Sequence, residues 1–98
     1  MSGVEGQSVI SPEVLARYAA DAALEVQGVR AIAEGPRHRR RVRVSGREVE
    51  VHVVVDWGVR IPDVAAEVQR RVGSYLERMA AVRPEAVHVV VDDVARPA

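Results

Sequence analysis

The chain contains no cysteine and no lysine. The first absence removes disulfides, thiolate nucleophiles, zinc knuckles and iron–sulfur ligation together. The second makes all 14 basic residues arginine, against 14 acids, for a formal net charge of zero. A choice that uniform fits a GC-rich coding genome better than separate demands for a guanidinium at every position. The neutral balance argues against a dedicated nucleic-acid binder, which carries a basic excess. Aromatics are scarce, at one Trp and two Tyr, leaving few platforms on which bases could stack. No apolar run approaches the ~18 residues of a membrane span, and no basic stretch followed by an apolar one opens the chain. The expectation is a soluble, cytoplasmic protein.

What is present suits one small core. Ninety-eight residues, 48% of them hydrophobic, can build a single domain but not two. The expected organisation is a flexible lead over residues 1–7, one domain over residues 8–94 and a short tail over residues 95–98. In SVISPEVLARYAADAALEVQG, Ser11 can accept a backbone N–H as N-cap, Pro12 has its φ preset for a first turn, and Glu13 favours the positive end of the helix dipole. Val14, Tyr18, Ala22 and Val26 recur four apart, with Leu15 and Ala19 beside them, predicting a helix of about four turns that Gly28 ends. Val9 and Ile10 fit either a short edge strand or a staple onto this helix.

After Gly28 the period becomes alternating. VRAIAE is a short strand candidate and GPRHRR a polar connection; RVRVSGREVEVHVVVDW then resolves into two strands around Ser45-Gly46. On the second strand Val49, Val51, Val53, Val55 and Trp57 point one way, as a core face, and Glu48, Glu50, His52, Val54 and Asp56 the other. Gly58 ends that strand where positive φ is needed, and Pro62 opens the next helix, biasing Ile61 away from helical geometry. That helix, expected over residues 62–81, buries Val64, Val68, Val72, Tyr75, Leu76 and Met79 and is closed by Arg83-Pro84. EAVHVVVDDV forms a last strand. The predicted architecture is an α+β two-layer sandwich: a mixed sheet of three or four strands, with two helices on one face and the strands flanking the second helix parallel.

Several stretches in this order resemble the alkaline shock protein family of bacterial cell-envelope stress proteins, over about residues 8–94. They are the Ile10-Ser11-Pro12-Glu13-Val14 helix opening, Gly28-Val29, the Trp57-Gly58…Ile61-Pro62 corner, Gln69 in the second turn of the helix, and Val87 to Val91. Trp57 stands where tyrosine is commoner in the family and His88 where asparagine is commoner; the link after Gly35 is short and arginine-rich. The resemblance implies a non-enzymatic scaffold or adaptor in envelope homeostasis. It would need no cofactor, act at the cytoplasmic side of the membrane, and self-associate or be recruited by a membrane-anchored relative.

The residues themselves offer few sites. Asp56 and Asp63 flank the corner and could be imagined as an acid–base pair, but a solvent-side aspartate at a strand end and an aspartate at the positive end of a helix dipole are the simpler expectation. His52 and His88, with Glu50 near, could approach as a zinc trio, but surface histidines on a mixed face are the simpler expectation. No glycine-rich phosphate loop occurs. The run Arg37, His38, Arg39, Arg40, Arg41, Val42, Arg43 is the one dense charge cluster. It reads either as a solvated loop or as an anion-binding patch, with anionic lipid headgroups ahead of nucleic acid as partner; a nucleic-acid module using residues 37–43 is the alternative function. Finally, His52, Val54, His88 and Val90 are expected to share the sheet face that no helix covers, forming a half-apolar contact surface for self-association or docking.

Overall fold

Ser11 caps the first helix as its sequence predicts: its hydroxyl accepts the Val14 N–H at 3.2 Å. The structure, a computed structural model, describes residues 9–97; the lead expected over residues 1–7 and the final residue of the tail lie outside the described residues. Helix α1 spans Pro12–Leu24 and buries Leu15, Ala19, Ala20, Ala22 and Ala23. Four alanines in that face let its backbone sit close to its neighbours. Ile10 packs onto the core while Val9 is 88% exposed and joins no strand. The helix ends at Leu24, and Gly28, with φ +100°, turns the chain into strand β1, Val29–Ile32. Glycine is required there twice over, because a Cβ would also lie 2.9 Å from the Val64 Cγ2.

Strand β3, Glu48–Asp56, is the central strand. Strand β2, Val42–Ser45, folds back on it through the tight turn at Gly46, pairing Val42 with Val51 and Ser45 with Glu48. β1 is also antiparallel to β3, pairing with Val53 to Val55. β1 and β2 therefore lie end to end along one edge of β3. Strand β4, Ala86–Ala95, runs parallel along the other edge, with a bulge between Val91 and Asp93. Val49, Val51, Val53 and Val55 face the helices and are fully buried. Helix α2, Ile61–Ala80, lays Val64, Val68, Val72 and Leu76 over them, and both helices join the strands in one core. The result is the α+β sandwich with a mixed sheet.

Three local expectations are corrected. Trp57 does not continue the core face. β3 ends at Asp56, where the chain leaves the pleat: Asp56 N–H goes to Gly28 O and Trp57 N–H to Ala95 O. The indole is 59% exposed, with the Arg96 guanidinium 5.1 Å above its ring. Met79 is 46% exposed, because it lies one position off the four-residue row of Val64, Val68, Val72 and Leu76 that Ala80 continues onto the core. The helix ends at Ala80, within a residue of the expected bound, but what closes it is Ala81 rather than Arg83-Pro84: Ala81 adopts left-handed geometry (φ 55°) while the Val82 N–H reaches back to Leu76 O. Gly73 has open space around it, so it serves no close packing.

Candidate functional site

The break between β1 and β2 creates the site. At Ala33 the chain leaves the β3 edge and at Arg41 it returns, and both ends hold the same residue: Ala33 N–H donates to His52 O and His52 N–H to Arg41 O. Arg41 N–H to Ala33 O, at 2.8 Å, closes the neck; Gly35 N–H to Arg39 O, at 2.8 Å, braces the loop above it. The tip contains two consecutive non-glycine residues at positive φ, Arg37 at 61° and His38 at 58°. Such strain persists only where surrounding contacts over-determine it, and here the pinned neck does so.

The loop borders the helix-free face of the sheet. Arg37, Arg39, Arg40, Arg41 and Arg43 line an open depression of ≈ 820 Å³ whose floor includes Glu50 and His52. Arg40 also lines a second depression against α1 with Glu13, Ala16, Arg17 and Ala20. Two are partly neutralised, Arg41 by Asp92 at 3.3 Å and Arg43 by Glu50 at 4.0 Å. Among the described residues Arg37, Arg39 and Arg40 make no ion pair.

His52 is only 8% exposed although no helix lies over it. The expected open strip of His52, Val54, His88 and Val90 is thus divided: His52 is buried, Val54 half-buried, and His88 and Val90 exposed. Side chains do the covering. His52 Nδ1 lies 2.9 Å from an Asp92 carboxylate oxygen and Nε2 2.6 Å from Glu50. The bond to Glu50 raises His52 above the ordinary histidine value; burial opposes the rise and the bond to Asp92 adds to it. The same contact with His52 holds the Glu50 carboxyl below the usual carboxylate range. Asp92 escaped the sequence reading. The signal available was the Asp92-Asp93 pair interrupting the valine alternation, which is where the bulge falls.

The other candidates do not converge. His88 lies 3.3 Å from Glu48 rather than beside His52. Asp56 is paired with Arg30 at 2.8 Å, and Asp63 with Arg60 at 3.4 Å, each beside its own guanidinium. Among the described residues no group of three or more His, Asp or Glu side chains could hold a metal ion, and no helix is long and apolar enough to cross a membrane. Gln69 is structural, donating from Nε2 to the Val87 carbonyl at 3.0 Å and tying α2 to β4.

Comparison with known proteins adds two findings. The model of the alkaline shock protein 23 family, described by its cell envelope-related function, matches residues 41–96. Among solved structures, a substituted MamM CTD in its manganese form has 24% identity and a TM-score of 0.50, over 83% of this chain and 96% of that one. A second substituted MamM CTD has 24% identity and a TM-score of 0.51, over 83% and 95%. These likenesses concern the fold alone. No curated protein matches.

Proposed function

Because this chain belongs to the alkaline shock protein 23 family, whose function is cell envelope-related, we propose that it is a non-enzymatic adaptor at the cytoplasmic face of the membrane. It self-associates and meets anionic lipid headgroups through the arginine loop. The observation that carries the reading is the state of that loop: three exposed arginines without ion pairs among the described residues, on a loop with a pinned neck, in a chain of zero net charge. Guanidinium groups match phosphate in geometry. At about 1 kcal/mol per basic residue near an anionic surface, three of them provide reversible attachment without a span. The carboxylates and histidines singled out as candidates, Asp56, Asp63, His52 and His88, are each tied to a partner of their own.

Flotation with anionic and with neutral vesicles across a salt series tests this. The wild type should float with anionic vesicles only and be released by salt. Arg37→Glu with Arg39→Glu and Arg40→Glu should abolish flotation and leave the melting temperature unchanged, since exposed charges contribute little to stability. Arg41 is kept, because it pairs with Asp92. Flotation retained by the triple variant overturns the lipid contact. Tighter binding of short nucleic acids than of vesicles favours the nucleic-acid reading instead.

A further inference from the structure

The sheet has two edges, and they are treated differently. Along the β1/β2 edge the strands are four residues each and are split by a loop containing Pro36 and the arginines. Short strands, charges and interruptions are how an edge is kept from pairing with another chain. The other edge has such protection only toward its end, where the bulge and the Asp92-Asp93 pair fall; Ala86 to Val91 run unbroken. β4 is ten residues long, contains no proline or lysine, and among the described residues pairs with β3 alone. Its helix-facing Val87, Val89 and Val91 reach the core but stay half-buried, whereas the β3 valines beside them are fully buried. Asp92 is exposed although its side chain is only 23% accessible, so the open part there is backbone.

We propose that the free edge of β4 pairs antiparallel with the same edge of a second copy, about a two-fold axis through Val90. Charge complementarity selects both the occupant and the register. Residues two apart share a face of a strand, and the contact with His52 keeps the bulged Asp92 on the outer face, so a two-fold at Val90 sets each His88 against the other copy's Asp92-Asp93 bulge, where Asp92 already meets His52 and Arg41. Val90, 38% exposed, meets its own counterpart on the axis. On the helix side Val89 meets Val91, extending the valine layer across the junction. A two-fold at Val89 would set His88 against Val90 and Asp92 against Ala86; one at Val91 would set Asp92 against Val90. Only the Val90 register joins opposite charges, and only a second copy supplies them in that palindromic order. The pairing would use the outer face and the edge together and place the two arginine loops on the same open side of one continuous sheet. It deepens the self-association in the reading above and is independent of the lipid contact.

Sedimentation of the intact chain near pH 6 at low ionic strength tests the proposal, with melting temperatures as the control for folding. His88 and Val90 are both exposed. The wild type should sediment as a dimer. His88→Glu, which faces Asp92 twice per dimer, should weaken it by about tenfold. His88→Arg should keep or tighten it, and Val90→Lys, which sets two cations on the axis, should dissociate it. Amide exchange along Ala86 to Val91 should slow on association. A wild type that stays monomeric at every concentration overturns both this pairing and the self-association reading. A wild-type dimer indifferent to the sign of the charge at position 88 overturns the β4 edge alone. The triple arginine reversal should leave the dimer intact, keeping failure of the lipid contact distinct from failure of this pairing.

Discussion

His52 can satisfy both of its carboxylates only as an imidazolium, because a neutral ring has one N–H and one lone pair. With Glu50 on one nitrogen and Asp92 on the other, losing the proton leaves an acceptor facing an acceptor in a site that water reaches poorly. The linkage has a definite sign. A histidine whose folded pKa is raised contributes stability that is complete below its unfolded value, near 6.5, and is lost as pH rises through the folded value. Glu50 is depressed, so its contribution is complete above about 4.5 and is lost as pH falls through its folded value. The row therefore stabilises most between those limits. Melting temperatures should fall as pH rises above the ordinary histidine value, and His52→Gln, which retains polarity but cannot titrate, should flatten this part of the profile. A wild-type profile as flat as the variant's would mean that the row does not hold an imidazolium.

At the scale of elements, two glycine corners make the same conformational demand in different surroundings. Gly28 enters β1 at φ +100° and Gly58 leaves β3 at φ +90°. An added methyl meets nothing within 4 Å at Gly58, but at Gly28 it meets Val64 of α2 at 2.9 Å. Gly58→Ala should cost about 1 kcal/mol of backbone strain. Gly28→Ala adds overpacking to that strain and should cost roughly 2–4 kcal/mol. Denaturant titrations of the two variants measure the gap directly; equal losses would mean that α2 moves away from the corner without resistance. The difference could not be foreseen from either glycine's neighbours in sequence, since Val64 belongs to an element formed more than thirty residues later.

The molecule as a whole has one core in which both helices share the β3 valines. Tyr18 on α1 and Tyr75 on α2 meet edge to face, with centroids 5.9 Å apart and planes at 77°, so their near-ultraviolet dichroism reports helix docking. With no second hydrophobic cluster among the described residues for a part to retain, unfolding should be all-or-none. Tyrosine dichroism and far-ultraviolet dichroism should melt together. Loss of the tyrosine signal ahead of secondary structure would show α1 detaching as a separate unit.

Local chemistry determined the elements: Ser11 and Pro12 start a helix, alternate valines make β3, and Gly58 supplies a positive φ, all through interactions within a few residues. The arginine run and the family resemblance were legible for the same reason, as both reside in consecutive letters. Burial at the ends of elements was not. Trp57 continues the alternation of β3 but falls past its last residue, Asp56, and Met79 lies one position off the row that Leu76 and Ala80 carry, so an apolar period did not say which side chains would be covered. Pairing was likewise a tertiary decision. That β1 and β2 share one edge, that the bulge brings Asp92 against His52, and that β4 keeps its outer edge open all depend on register between residues up to some forty positions apart. Backbone hydrogen bonding is nearly blind to side-chain identity, so these registers are settled by packing of the whole core.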